Sequence, residues 1–443
     1  MVLERIWPAG ALPLIPRAAG LRQTMPQSAA NRLKHGHPAS ARPKARSMTD
    51  QSMSLRDDAR VMTLISAAHF SSHFFQLVLP PLFPVLRTAF GVSYTELGFV
   101  MAVFFAASGL GQVAAGFLVD RFGPQRILPI GIGLLAGGML LVGLLPHYPV
   151  LLAAAAISGL GNSVFHPADY AVITARISPQ RIGRAYSAHT VMGTLGWAAA
   201  PVTTLALAQQ FGWQTALIQL GLGGLVLAVI VALGHRQIRV EAVVRPAHQK
   251  APAWQMLLTG PIIACLVYFT LLAIAQAGTQ SFLPSLLPLT QGISAAVAVT
   301  ATTVYLIGSA LGSFSGGFLA DLTPNHERVV GAGLAAAALA SLVLGFVTLP
   351  EPLLLAATGL AGFLTGSTIP SRDMLVRGAA PAGAVGTVFG FVYAGLDLGS
   401  VVAPIAIGAF IDHGAANFAF AFIAAALMIT VVSALIVKQL QHG

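Results

Sequence analysis

Long apolar segments separated by short polar breaks run along most of the chain. A helix that rises about 1.5 Å per residue needs about 20 residues to cross a hydrocarbon core of about 30 Å, and each segment reaches that length. None of them alternates apolar and polar positions as a membrane β-strand does. The pattern predicts twelve transmembrane helices, at residues 61–86, 94–119, 126–145, 149–177, 182–209, 213–235, 256–288, 292–320, 328–349, 351–378, 383–411 and 416–438.

The composition excludes a soluble domain. Hydrophobic residues make up 56% of the chain and charged residues only 9%, whereas a soluble domain carries about 25% charged residues. The net charge of +10 is concentrated in residues 1–60, which hold ten basic and four acidic side chains. We therefore predict a lipid bilayer, and no nucleic acid, as a partner. The single cysteine, Cys265, lies in an apolar segment and is interpreted as a small buried hydrophobe.

The first 60 residues are predicted to be a separate basic extension. Residues 1–47 are rich in Pro, Ala and Arg, hold one acidic residue and show no lasting periodicity, so we expect them to be disordered. This composition also fits an organellar transit peptide. We favour a third interpretation, in which the start is mis-assigned and translation begins at Met48 or Met53.

Lys and Arg are distributed unequally between the two sets of predicted loops. One set holds Arg87 alone, and the other holds thirteen basic residues. Cytoplasmic loops carry the excess of Lys and Arg, so both termini are predicted to be cytoplasmic in a bacterial inner membrane. The thirteen are Arg121, Arg126, Arg176, Arg181, Arg184, Arg236, Arg239, Arg245, Lys250, Arg328, Arg372, Arg377 and Lys438.

The two halves of the chain repeat each other. The sequence GFLVD ends at Asp120, and GFLAD ends at Asp321, 201 residues later. The repeat predicts two parallel six-helix bundles, at residues 61–235 and 256–443, joined by a cytoplasmic linker at residues 236–255. Parallel repeats place a substrate path between the halves, near the middle of the membrane. Four further pairs lie 203 residues apart: Pro167 and Pro370, Gly183 and Gly386, Gly196 and Gly399, and Pro201 and Pro404.

A loop motif between the second and third predicted helices links the chain to a known family. It reads Gly116-x-x-x-Asp120-Arg121-x-Gly123-x-x-Arg126. Together with the six-plus-six repeat, this motif makes residues 60–440 resemble the major facilitator superfamily of transporters. The resemblance implies an all-α integral membrane fold with 12 transmembrane helices in two pseudo-symmetric six-helix bundles. Residues 161–187 also resemble the Phe-His-Pro segment of the fosmidomycin-resistance branch of drug exporters.

The same resemblance implies a cytoplasmic latch that holds the two halves together in the outward-facing state. We expect Asp120 to meet the positive N-terminus of the eleventh helix, near Ala384–Gly386. The arginines of the motif are expected to pair with acids of neighbouring helices, or else they serve only to fix the topology. The predicted latch comprises Gly116, Asp120, Arg121, Gly123, Arg126, Asp169, Gly317, Asp321, Arg328, Arg372 and Asp373.

Ionisable residues inside the predicted spans are costly in a membrane and mark functional sites. Asp397 lies at the middle of the eleventh span, where a carboxylate is a candidate for carrying protons. Three polar residues of the first helix share one face, since their spacing is i, i+4 and i+7. The alternative, left open, is that these side chains only bond neighbouring helices together. The predicted proton-coupling or substrate path comprises Asp397, Tyr393, His69, His73, Gln76, His189 and Trp197.

Neither a metal nor a cofactor is predicted. His69 and His73 have a spacing that suits metal ligands, but zinc sites use three or four protein ligands. No HExxH motif and no partnering cysteine or acid appears near this pair in sequence. No Gly-x-x-x-x-Gly-Lys-Ser/Thr loop occurs either, so the sequence encodes no ATP-driven motor.

Secondary active transport is the predicted function. A small organic molecule would cross by alternating access coupled to protons, and efflux of a drug-like compound or metabolite is favoured. One alternative is an uptake symporter for a small organic acid, with Arg372 or the histidines holding the carboxylate. Another is an intramembrane metal-dependent enzyme that uses His69, His73 and Asp397. We predict that the protein is not an enzyme, because a duplicated latch has no role in the second alternative. We also predict that the transporter is a monomer.

Replacing Asp120 by its amide tests the latch. Asp120→Asn keeps the size of the side chain and removes the charge, which is worth about 1 kcal/mol at a helix N-terminus. A change of that size shifts an equilibrium between two states about fivefold. We expect normal expression and slower transport per molecule in proteoliposomes. Normal transport at normal expression would show that Asp120 has no such role.

Overall fold

We describe residues 55–178, 181–240, 254–379 and 385–442 of a computed structural model of the chain. Within these ranges the regular secondary structure is helical, without strands. The predicted extension lies outside the described residues up to residue 54, and the predicted linker lies outside them over residues 241–253. Ala384, at the point where Asp120 is predicted to dock, is also outside them.

Sixteen α-helices and one 3₁₀ turn follow one another in the described ranges. The first half contains α1 (Leu55–Gln76), a 3₁₀ turn (Pro80–Leu82), α2 (Phe83–Phe90), α3 (Tyr94–Phe122), α4 (Pro124–Leu144), α5 (Tyr148–Asn162), α6 (Phe165–Arg176), α7 (Ile182–Phe211) and α8 (Trp213–Leu233). The second half contains α9 (Trp254–Leu257), α10 (Gly260–Gln291), α11 (Ala295–Leu322), α12 (His326–Phe346), α13 (Glu351–Ser367), α14 (Ile369–Ala379), α15 (Val385–Asp412) and α16 (Ala416–His442).

Eleven helical segments in the described part of the chain are long and apolar enough to cross a membrane. They correspond to the second to twelfth predicted spans. The first predicted span, 61–86, differs from the structure: α1 begins earlier, with four charged residues among its first six, and ends at Gln76. Pro80 and Pro81 lack the N–H that would continue the helix, so the chain turns there before α2 begins.

Two predicted spans are each divided into two helices next to a proline. Pro167 cannot donate a hydrogen bond to the carbonyl four residues earlier, and α5 ends just before that position, at Asn162. Pro370 likewise follows a helix end, because α13 ends three residues earlier, at Ser367. The break between α5 and α6 gives α6 its own direction. This matters because α6 carries the buried Asp169.

The repeat seen in the sequence is also present in the packing. α3 packs against α5 as α11 packs against α13, α4 against α8 as α12 against α16, and α1 against α7 as α10 against α15. A Cβ at Gly196 would lie 2.3 Å from the carbonyl oxygen of Phe70, and one at Gly399 would lie 2.2 Å from that of Thr270. Helices approach this closely only through small residues. The two six-helix bundles are therefore pseudo-symmetric, as predicted.

The two halves meet along α3 and α15, which run antiparallel to each other. A Cβ at Gly98 would lie 2.2 Å from the carbonyl oxygen of Pro404, and one at Gly408 would lie 2.4 Å from that of Tyr94. At Gly116, near the other end of α3, a Cβ would meet nothing within 4 Å. The close contact of the two helices thus lies toward the start of α3 and the end of α15.

Asp412, the last residue of α15, caps the first turn of α3. Its carboxylate accepts hydrogen bonds from the Tyr94 N–H at 2.8 Å and from the Thr95 N–H at 2.7 Å. The next N–H, that of Glu96, donates a hydrogen bond to the hydroxyl oxygen of Ser93 within a capping box. A helix begins with N–H groups that have no partner in the helix itself. Here an acid from the other half of the protein satisfies two of them.

Alanine substitution tests the close approach in the repeat. Gly196→Ala places a methyl group against backbone, so we expect it to destabilise the protein by about 1–3 kcal/mol. Gly137→Ala is the matched control, because a Cβ there meets nothing within 4 Å. The control is expected to be neutral or to stabilise by up to about 1 kcal/mol. Thermal unfolding in detergent measures both. Equal melting temperatures would contradict the packing described.

Candidate functional site

A cluster of histidines around one buried acid lies in the first half of the chain. Asp169 of α6 is fully buried, at 0% exposure. Its Oδ2 atom lies 3.1 Å from Nδ1 of His69 on α1 and 2.9 Å from Nε2 of His189 on α7. Both histidines are also buried. The helix α1 is thus joined to α6 and α7, which are distant from it in sequence, through a single carboxylate oxygen, an arrangement we call the His–Asp–His cluster.

Two further histidines surround this cluster. The rings of His69 and His189 are stacked, with centroids 3.5 Å apart. The His73 ring lies 4.4 Å from that of His69, and the His166 ring lies 5.6 Å from it. The His166 side chain is exposed, whereas His69 and His189, which lie against the carboxylate, are buried. Asp169 Oδ1 and His73 Nδ1 are both buried and have no hydrogen-bond partner among the described residues.

Gly193 provides the space that the histidines occupy. It lies one turn after His189 on α7, and a Cβ there would be 2.7 Å from Nε2 of His69 and 3.0 Å from Cε1 of His73. Any larger residue at this position would push the α1 histidines away from α7. The local sequence of α7 therefore both supplies a histidine and leaves room for two others.

Beside the histidines, a chain of side-chain hydrogen bonds crosses four helices. The indole Nε1–H of Trp197 donates to Oε1 of Gln76 at 2.9 Å. Gln76 Nε2 donates to Oδ1 of Asn162 at 3.1 Å, and Ser72 donates to the same oxygen at 2.7 Å. Asn162 in turn donates to the hydroxyl of Ser108 at 2.9 Å. The polar groups of these five side chains thus bond to one another in place of water.

The second half presents different chemistry in the corresponding region. Nε of Arg372 donates to Asp373 at 2.9 Å, and the Tyr393 hydroxyl lies 3.4 Å from both side chains. The guanidinium also lies over the ring of Phe269, 4.7 Å from its centroid. Arg372 is buried, and its charge is balanced by its neighbour in sequence. Arg372 and Asp373, which are both among the residues predicted for the latch, are thus paired with each other.

Asp397 lies where the halves meet. A Cβ on Gly109 of α3 would be 3.0 Å from both Cβ and Cγ of Asp397. The carboxyl group is half-buried, and it has no hydrogen-bond or ion-pair partner among the described residues. It therefore differs from Asp169 and Asp373, which both have partners. The structure places this acid on α15 at its close approach to α3.

The other predicted latch residues lie around the ends of α3 and α11. Gly123 has a left-handed φ of +80° and forms the turn between α3 and α4, so a glycine is required there. The charged side chains of the loop motif and its repeat are exposed, while Asp169 lies in the His–Asp–His cluster. The exposed ones are Asp120, Arg121, Arg126, Asp321 and Arg328, and Gly317, like Gly116, faces open space.

Sequence reasoning missed the polar partners of the path. Asn162, Ser108 and Ser72 were not predicted, although an Asn inside an apolar span is itself a signal of a polar contact. The acid that partners His69 was also not recognised from spacing, because it lies 100 residues away. The structure brings together the predicted path residues of the first half, and places Asp397 and Tyr393 on α15.

Shortening Gln76 tests the hydrogen-bond chain. Gln76→Ala leaves the Trp197 indole and the Asn162 amide without this partner, at an expected cost of about 1–3 kcal/mol. Gln209→Ala is the matched control, because Gln209 is exposed on α7, and it should change stability by less than about 0.5 kcal/mol. Thermal unfolding in detergent compares the two. If Gln76→Ala melts like the control, these hydrogen bonds contribute nothing to stability.

Known proteins share this architecture. The structure of a bacterial homologue of the human lysosomal transporter Spinster, in an inward-facing and occupied conformation, aligns with a TM-score of 0.71. The alignment covers 88% of this chain and 98% of that one, at 15% sequence identity. At this identity the likeness shows the fold alone.

Sequence relatives agree with the fold. An uncharacterized MFS-type transporter, YfnC of Bacillus subtilis, is 26% identical over 80% of this chain and 86% of its own length. The fosmidomycin resistance protein of Escherichia coli is 28% identical over 34% of this chain and 37% of its own length. The sequence model of the Major Facilitator Superfamily matches residues 65–301 and 271–441. The chain is a multi-pass membrane protein that belongs to the major facilitator superfamily of transporters.

Proposed function

We propose that the protein is a proton-coupled secondary transporter that moves a small organic molecule by alternating access, with efflux as its direction. The observation that carries the coupling is Asp397, an acid in the membrane interior without a partner. An ionised carboxylate is costly there. A carboxyl group that is neutral when protonated and costly when charged is suited to take up a proton on one side and release it on the other.

The surroundings of Asp397 support this role. α15 packs against α3, α10, α14 and α16. Among the described residues, α10 contributes Cys265 and Tyr268, and α14 contributes the Arg372–Asp373 pair, which contacts Tyr393 one turn before Asp397. None of these groups bonds to Asp397. The remaining titratable or charged side chains that the structure describes on α3, α14 and α16 are Tyr94, Glu96, Asp120, Arg121, Arg377 and Lys438, and none of them is a partner of Asp397 either.

Aromatic side chains of both halves provide a surface for an organic substrate. Tyr170 of α6 is 45% exposed and Tyr393 of α15 is 37% exposed, although both lie within membrane-spanning segments. Tyr170 also lies within electrostatic range of Tyr393 and Asp373 of the other half. The Trp197 ring is packed on that of His73, with centroids 4.1 Å apart. We infer that the substrate lies between these faces, close to Asp397.

Release of the α3–α15 contact would allow one end of this path to open. We infer that the Asp412 cap holds that end closed, and that the predicted Asp120 latch acts at the opposite end of the same two helices. The loop charges favour an orientation with the Asp120 end, and both termini, in the cytoplasm of a bacterial cell. The protein would act as a monomer, since each chain carries both halves of the path.

The pairing of Arg372 with Asp373 favours efflux over the uptake of an organic acid. An uptake symporter would need a free cation to hold a carboxylate, and here Arg372 is already paired with Asp373 and covered by Phe269. The likeness to a fosmidomycin resistance protein, over part of the chain, points in the same direction. We therefore propose exchange of protons for an organic compound that is not an anion.

Imposed pH gradients in proteoliposomes test this proposal, after a screen of drugs and organic acids has identified a substrate. Antiport predicts that an acidic lumen drives accumulation, whereas symport requires an acidic exterior. Asp397→Asn mimics the protonated acid, so accumulation driven by the gradient should be lost and only equilibration should remain. Ser400→Ala, one turn further along α15, is the matched control and should retain accumulation. Accumulation by Asp397→Asn equal to that of the wild type would exclude Asp397 as the proton site.

A further inference from the structure

We propose that His69, Asp169 and His189 form a binding site for a divalent transition-metal ion of the zinc class. The three side chains each offer one ligand atom, and these atoms all lie within 4.8 Å of one another. Two imidazoles and one carboxylate form a ligand set that zinc uses in open sites with three protein ligands. This proposal is independent of proton coupling at Asp397, because the two sites share no residue.

The separations between the carboxylate oxygen and the two imidazole nitrogens are close to those around a metal. Bonds of about 2.0–2.1 Å in a tetrahedral site keep neighbouring ligand atoms about 3.3 Å apart. Here Asp169 Oδ2 is 3.1 Å from His69 Nδ1 and 2.9 Å from His189 Nε2. For an ion to bind between these atoms, the rings of His69 and His189, which are stacked with centroids 3.5 Å apart, would have to turn away from each other so that both nitrogens face it.

The unused polar atoms of the cluster point to a ligand that the protein alone does not provide. Asp169 Oδ1 is buried in the membrane interior without a partner, and so is Nδ1 of His73, whose ring lies against that of His69. A buried acceptor without a partner is costly. A cation at the cluster would be stabilised by the whole carboxylate. An acid that served only to form hydrogen bonds in the core would not need these additional unpartnered atoms.

The histidines can change from hydrogen bonding to metal binding without gaining or losing charge. A neutral imidazole carries one N–H and one free nitrogen. Moving the proton of His69 from Nδ1 to Nε2, and that of His189 from Nε2 to Nδ1, turns both nitrogens that face Asp169 into metal ligands. With the carboxylate ionised, the site would present one negative charge to the ion. The exposed His166, beside His69, lies on a route by which an ion could enter.

Zinc titration of the purified, untagged full-length protein in detergent tests the site. We expect one Zn²⁺ per chain by calorimetry, with a higher melting temperature when the ion is bound. Asp169→Asn and His189→Ala should each weaken binding at least about tenfold, since each alters a ligand and even the loss of an outer-shell partner costs about that much. The matched control is His35→Ala/His37→Ala, which removes the other closely spaced histidine pair of the sequence and should bind like the wild type.

Two further measurements keep the result decisive. The melting temperature of each variant without metal shows whether it is folded, and zinc X-ray absorption of the wild type counts histidine neighbours without any mutation. At least two imidazole neighbours are expected. The proposal is overturned if the wild type binds no Zn²⁺, if the folded variants bind as tightly as the wild type, or if binding is lost in the His35→Ala/His37→Ala control.

Discussion

The contact between α3 and α15 is the interaction on which the rest of the structure depends, because it joins the two bundles more extensively than the contact of α7 with α11, which also links them. Glycine on each helix lets the backbones touch, at Gly98 and at Gly408. At the end of this contact, Asp412 bonds the first two N–H groups of α3. The capping hydrogen bonds at this end are polar and few groups make them, so they can be broken and remade more readily than a broad apolar interface. A transporter that alternates between two states needs such a contact.

The membrane constrains every polar group that lies near this contact. Away from water, a buried donor or acceptor needs a protein partner, and most of those described have one. The Trp197–Gln76–Asn162 chain and the Arg372–Asp373 pair follow this rule. Asp397 and Oδ1 of Asp169 do not, and our two proposals rest on these exceptions. One acid is assigned to protons and the other to a metal, because only the second is surrounded by histidines.

The repeat explains why the fold was predictable and the site was only partly so. Apolar length gave eleven of the twelve spans, and the spacing of Gly196 and Gly399 marked a close approach that both halves use. These features are local, or they repeat along the chain. The bond between His69 and Asp169 joins positions 100 residues apart, and it depends on how the proline-linked break turns α6. No periodicity encodes such a contact, since it arises only when α1, α6 and α7 pack together.

The central claim is that the Asp412 end of the two halves opens and closes, and a distance across that end tests it most directly. Spin labels on cysteines replacing Ala89 and His413, with Cys265 changed to Ser, would lie on exposed positions of the two halves. Double electron–electron resonance should show two distances, and Asp412→Asn should increase the population of the longer one. A single distance that is unchanged by Asp412→Asn, by pH and by substrate would contradict the account.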